Sequence, residues 1–475
     1  MRFAPSHLLL LSLVFLAPLR GQDAFPAGIK RETLKAHLSF LASDDMKGRK
    51  TPSPELDAAA DWLAARFAEG GLKPAFGDSF LQGKTIGDAS KAKGVIGVGN
   101  DRFPLTTRHV AGSGLGGLSC DQAPVVLWTG GWRRTDERRA AAVSGAAVVL
   151  PGPDPRDHMG RFGRRVSRRC NMLAREGARA VLVATEKPLG KLPSTAIPVV
   201  WSDAAPLLGA IGKNQGRLAD THFTLTVPKA AKAYASNVGA ILPGSDPKLA
   251  SELIVFSAHY DHLGVDSSAS GDGIFNGADD DASGTVAVVA IASALSRLKT
   301  HPKRTCLFLC FYGEEQGMHG STYYVQNPAF PLRAHKAVFN LEMVGRPDDI
   351  PKNRAWVTGW SLSDFGTLIR DAAKPAGVVF YNHPQRSRML FGSSDNISFA
   401  RVGIPAFSIS AGSLHEDYHR PSDHVAKIDF DNMTAVVRGI AVAGRAMADG
   451  GKTPTWSKEN RAAGAYRAAR EKLAK

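Results

Sequence analysis

The sequence predicts an α/β protein: a mostly parallel mixed sheet with helices on both faces, split by a β-rich insertion. Three observations carry that prediction. After Asn237, short apolar runs (253–257, 306–311, 338–341 and 406–410) alternate with helical segments such as 283–298, the pattern of buried strands covered by helices. From about Thr106 to Pro228 the texture changes to β-rich runs separated by Gly, Pro and Arg. Finally, 475 residues at 44% hydrophobic and 22% charged, with only 4 Cys, provide core for two or three domains and exclude a disordered chain, a collagen and a small disulfide scaffold.

Taken in order, Arg2, an apolar run over 8–17, Pro18 and small residues around Gly21 read as a secretory signal peptide over 1–21. The run is about half of the roughly 20 residues a bilayer crossing needs, and the sequence contains no longer one. No Cys lies near the cleavage region to carry a lipid. Export makes the expected location secreted or periplasmic.

The segment 22–105 opens the first domain. Leu34, Leu38 and Leu41 repeat at helical spacing; Ser53 is a good N-cap and Pro54 suits the first helical position. Leu56, Ala59, Ala60, Leu63 and Phe67 then share one face, and Gly70, Gly71 and Pro74 end the helix. The insertion, 106–232, contains runs at 125–128, 146–150, 180–183 and 197–201 and one helix at 171–176, with no cluster of His and carboxylates. The segment 233–450 contains the strand and helix alternation, and 451–475 is a basic tail expected to be helical.

Cysteines are few. Cys306 and Cys310, four apart on one strand, lie roughly 13 Å from each other, too far to bridge, and read as buried small hydrophobes. Cys120 and Cys170 leave pairing open.

The chemistry gathers at the ends of the later strands. His259-Tyr260-Asp261-His262 follows the first apolar run, and Gly277-Ala278-Asp279-Asp280-Asp281-Ala282-Ser283-Gly284 opens the helix. Gly313-Glu314-Glu315, Asn340-Leu341-Glu342-Met343 and Tyr418-His419-Arg420-Pro421-Ser422-Asp423 complete the set. In parallel sheets such positions converge outside the carboxyl ends of the strands. Imidazoles mixed with carboxylates suit a divalent ion, zinc above all. In a pair such as Glu314-Glu315 one carboxylate can bind metal while the other carries protons, and Asp261 can fix the His259 tautomer. Two metals a few ångströms apart lower the pKa of a shared water and stabilise a developing oxyanion, so the implied chemistry is metal-assisted hydrolysis.

The segments His-Tyr-Asp-His-Leu-Gly, Asn-Gly-Ala-Asp-Asp-Asp-Ala-Ser-Gly, Phe-Tyr-Gly-Glu-Glu-Gln-Gly, Asn-Leu-Glu-Met-Val-Gly and Asp-Tyr-His-Arg-Pro-Ser-Asp, between Phe256 and Asp423, jointly resemble the secreted co-catalytic di-zinc aminopeptidases. That family includes the Aeromonas and Streptomyces aminopeptidases and, more remotely, glutamate carboxypeptidase II. The stretch His37 to Pro74 is similar to its N-terminal helices, and the insertion resembles a protease-associated domain. The resemblance implies a zinc exopeptidase fold with two zinc ions per chain. It implies Asp280 as the bridging ligand, with Asp279 its rival; His259 and Glu342 at one site; and Glu315 and His419 at the other. It also implies Glu314 as general base, Asp261 orienting His259, and Tyr418 supporting the tetrahedral intermediate. Glu342 departs from the family's usual Asp by one methylene, which bears on exopeptidase direction.

The expected function is an exported aminopeptidase acting on peptides or proteins. The alternatives are a carboxypeptidase or dipeptidase on the same scaffold, or a silent binding protein. The net charge of +15 raises a polyanionic partner, but its placement argues against nucleic acid. Ten Arg face four acids between Arg133 and Arg169, and seven basic residues face two acids in the tail, so the excess lies outside the catalytic segment. Weak contact with an anionic surface is what that distribution allows.

Overall fold

The computed structural model describes residues 25–474 except 87–92, 99–100, 106–108, 112–118, 129–136, 152–165, 167–168, 171, 185–198, 203–215, 227–232, 348–350 and 413. The expected signal peptide, 1–21, lies outside the described residues. Among them, no helix is long and apolar enough to cross a membrane.

The apolar runs become strands of one nine-stranded mixed sheet. Its centre is four parallel strands, in the order Thr305–Phe311, Leu253–His259, His335–Leu341 and Ala406–Ser410. Ala233–Leu242 joins antiparallel on one side, carrying the edge strands Lys73–Pro74 and Leu81–Ile86; Arg354–Val357 and Val379–Tyr381 extend the other. Leu253–His259 and Thr305–Phe311 are buried at every position, as strands covered on both faces must be. Phe256 lies in register with Phe308 and Phe339 and stacks on both, with centroids 5.5 and 5.2 Å apart. This aromatic ladder helps to pin the register.

The N-terminal helices form as their spacing predicts. Arg31–Leu41 buries Leu34, Leu38 and Leu41. Pro54–Glu69 buries Leu56, Ala59, Ala60, Leu63 and Phe67, and the Ser53 hydroxyl accepts the Leu56 N–H at 3.0 Å. Both helices join one apolar core with the sheet and with helices Gly284–Ser296 and Phe430–Ala448.

A second, eight-stranded sheet is built from residues between 93 and 226. It takes in Lys93–Val98 and Asp101–Leu105, which precede the change of texture at Thr106. The runs read from sequence appear as Ser119–Leu127, Ala147–Pro151, Ala180–Ala184 and Val199–Ser202, successive parallel neighbours. A helix that the sequence did not reveal, Glu137–Val143, precedes Ala147–Pro151. Cys170, Cys306 and Cys310 are free and buried, and burial pushes the Cys170 thiol up to about 12.

The basic tail packs against the domain as well as facing solvent. Trp456 is 5% exposed and Ala463 fully buried, and Gly464–Ala474 is helical.

Candidate metal centre

Because the four central strands are parallel, their carboxyl ends open along one edge. His259 ends its strand; Glu314 and Glu315 lie just past Phe311; Glu342 follows Leu341; Tyr418 and His419 lie in the loop after Ser410. Asp280 enters from the turn before Gly284–Ser296, and glycine is needed at both ends of that turn. Gly277 has φ +59°, and a Cβ there would stand 2.4 Å from the Asp280 carbonyl oxygen. A Cβ at Gly284 would stand 2.5 Å from Asp281 Oδ1.

Asp280 faces both imidazoles. Its Oδ1 is 3.2 Å from His259 Nε2, and its Oδ2 is 3.1 Å from His419 Nε2. Glu342 Oε1 lies 3.5 Å from His259 Nε2, and Glu315 Oε2 lies 3.2 Å from His419 Nε2. Both Nε2 atoms are buried and make no hydrogen bond. Imidazole nitrogens turned toward carboxylate oxygens in this way fit a divalent cation, which would satisfy them together. His259, Asp280 and Glu342 offer ligand atoms within 4.8 Å of one another, and so do His262, Asp280 and Glu315. Glu314 forms a third such group with His259 and Glu315, its Oε2 3.7 Å from His259 Nε2.

Residues 237–443 match the sequence family described as Peptidase family M28. This segment belongs to peptidase family M28. The chain is 28% identical over 216 residues to leupeptin-inactivating enzyme 1 of Streptomyces exfoliatus, covering 45% of this chain and 44% of that protein. The chain spans less than half the length of the curated relatives it matches first. The fold is similar to that of an aminopeptidase from Aneurinibacillus sp. strain AM-1, with a TM-score of 0.57 at 20% identity, over 91% of this chain and 97% of that one. It is also similar to that of BSAP, a zinc aminopeptidase from Bacillus subtilis, with a TM-score of 0.56 at 18% identity, over 91% and 96%.

Around this cluster, buried carboxylates tie the motifs together. Asp261 Oδ1 accepts the Glu314 N–H at 3.1 Å, and the His259 Nδ1 edge faces the Asp261 backbone oxygen at 3.1 Å and its Oδ1 at 3.5 Å. Asp281 accepts the N–H groups of Met343, Gly284 and His259, and so joins two strand ends to the helix start. Asp423 accepts those of Asp279 and Asp280. Tyr418 stacks on His419 with centroids 3.9 Å apart.

Charge follows from this crowding. Burial alone would depress the His419 pKa, but Glu315 and Asp280 raise it to about 10. His259 is also raised, the charge of Glu342 and the adjacent carboxylates of Asp261 and Asp280 outweighing burial. Asp280 stays well below the usual carboxylate range because His259 and His419 outweigh burial. Burial and the charges of Asp280, Glu315 and Glu342 raise Tyr418. In the absence of metal, protons on imidazole balance these carboxylates; a cation would replace them.

All eight residues singled out from sequence lie in or against this cluster. His262, whose Nδ1 pairs with Glu315 Oε1 at 3.0 Å, was not singled out, although it stands three residues after His259 in the same motif. Arg49 and Thr51 have no local signal. Arg49 is fully buried and donates to the carbonyls of Tyr260, Asn276, Gly277 and Leu41; Thr51 donates to Asp261 Oδ2 and accepts the Gly313 N–H.

Proposed function

We propose that this chain is a zinc-dependent metallopeptidase, an exported aminopeptidase with two zinc ions per chain. The observation that carries the reading is the single carboxylate of Asp280 facing His259 with one oxygen and His419 with the other. His259, Asp280 and Glu342 would hold one ion, and His419, Asp280 and Glu315 the other. Zinc bound there supplies Lewis acidity to the attacking water and the scissile carbonyl.

The chain's own groups do the rest. Glu314 takes the proton of the attacking water on a carboxylate oxygen and delivers it to the leaving amine. Its backbone is held by Asp261, which also orients His259. The Tyr418 hydroxyl, kept protonated by its raised pKa, is a hydrogen-bond donor for the oxyanion that develops at the carbonyl. The free α-amine of the substrate would be anchored near the metal-binding carboxylates.

The test is Glu314→Gln. It should lower turnover at least about 10³-fold while the protein still takes up two zinc ions; near-normal turnover would overturn the role given to Glu314. Paired peptides test direction: an aminopeptidase rejects an N-blocked peptide and accepts a C-amidated one. The reverse pattern would make it a carboxypeptidase, the alternative on which the departure to Glu342 bears. N-terminal sequencing of protein recovered after export should show a mature chain beginning near residue 22.

A further inference from the structure

We propose that the C-terminal segment, outside the matched family region, sets the position of the Glu342 carboxylate through the loop bearing Ser394. This rests on reading Glu342 as a zinc ligand. The chain of contacts begins at Trp456, whose Nε1 donates to the Gly403 carbonyl at 2.9 Å. Its ring stacks on Tyr466 at 4.9 Å, and both rings meet Phe391 edge-on, at 6.4 and 5.6 Å. Gly403 in turn lies against the tail helix, where a Cβ would stand 2.2 Å from the Arg470 nitrogen. The tail thus clamps Phe391, which is 6% exposed.

Phe391 opens a short loop that is tied again at its far end. Asn396 Nδ2 donates to the Phe391 carbonyl at 2.9 Å, and Asn396 Oδ1 accepts the Ser408 hydroxyl at 2.9 Å. Between these anchors stands Ser394, 3% exposed. Its hydrogen-bond direction is decided by a buried chain. The Ser257 hydroxyl donates to Asn340 Oδ1 at 2.8 Å, which turns Asn340 Nδ2 toward Ser394 Oγ at 3.0 Å. Ser394 already accepts from Asn340, so its own proton goes to Glu342 Oε2. With Oε2 held, Oε1 is the oxygen turned toward His259. Glu has one more rotatable bond than Asp, so a donor that fixes one oxygen removes freedom that binding would otherwise have to remove. Ser394 is therefore a positioning residue for Glu342, and Phe391, Trp456 and Tyr466 hold Ser394 in place.

The experiment measures zinc affinity by chelator competition, beside thermal midpoints, on the full-length protein. Ser394→Ala should weaken the zinc site by about 10- to 100-fold with little change in midpoint, and Ser394→Thr should restore it. Trp456→Ala should weaken zinc in the same direction, and combining it with Ser394→Ala should add nothing further, because both act through one hydrogen bond. Phe391→Leu tests the same link if Trp456→Ala fails to fold. Unchanged zinc affinity in Ser394→Ala overturns the proposal. A Trp456→Ala or Phe391→Leu protein that melts earlier but binds zinc normally overturns the part played by the tail. A wild-type protein that takes up no zinc overturns the reading of the metal site as well, so the two failures are distinguishable.

Discussion

At the scale of single residues, the site is a problem in charge. Asp280, Glu314, Glu315 and Glu342 gather around the buried His259 imidazole and the half-buried His419, an arrangement that repels itself unless something positive enters. Without metal that charge is a proton. His419 has an ordinary value of 6.5 and about 10 in the folded chain, so its contribution to stability is fully present below pH 6.5 and is lost as pH rises through about 10. His259 is shifted in the same direction. Metal-stripped protein should therefore show a falling denaturation midpoint between pH 6.5 and 10, and His419→Ala should flatten that slope. A midpoint that rises across this window would contradict the assignment. Zinc uptake should release protons and weaken as pH falls, since metal and proton compete for the same nitrogens.

At the scale of elements, two N-terminal features act at different reach. The Ser53 cap is local: its hydroxyl serves the start of one helix. Ser53→Ala should cost about 1 kcal/mol and leave zinc binding intact. Arg49 is not local, since its guanidinium spans carbonyls more than 200 residues away in sequence. Arg49→Met would leave several buried carbonyls without a donor and should cost about 3 kcal/mol, measured by denaturant unfolding. Equal effects from the two substitutions would mean that the buried guanidinium does not join these segments as described. The helix Arg31–Leu41 and the turn before Gly284–Ser296 are brought together by the same region, where Asn276 donates to Ala42 and Asp44.

At the scale of the whole molecule, the proposed ligands come from five separate segments, so the proposed metal site exists only in the folded chain. Ligand that binds the folded state alone stabilises it, by about 4 kcal/mol per site at free zinc 1,000-fold above its dissociation constant. Zinc should raise the thermal midpoint and a chelator lower it; a midpoint indifferent to both would argue against a metal site completed by folding. The positive charge also looks different at this scale. The tail carries five net positive charges, yet its Trp456 and Ala463 are buried, so it packs against the domain as well as facing solvent. Salt-sensitive retention on heparin remains the test of anionic-surface contact through the insertion.

Much of this was legible in order along the chain. Apolar runs of strand length, helical spacing in Leu56 to Phe67, and the Ser53-Pro54 start are local signals, and the elements formed where they pointed. The strand-end motifs were legible for the same reason: a parallel sheet delivers successive strand ends to one edge. The helix Glu137–Val143, in a stretch rich in Arg and Ala, carries too little apolar periodicity to stand out. By itself the sequence determined which side chains could bind metal and which strand ends would bear them. Only the tertiary structure decided that Asp280 faces both imidazoles, that Arg49 and Thr51 support the motifs, and that the tail reaches the Ser394 loop. Those contacts join residues far apart in the chain, and no local periodicity encodes a hydrogen bond closed by the packing of the whole fold.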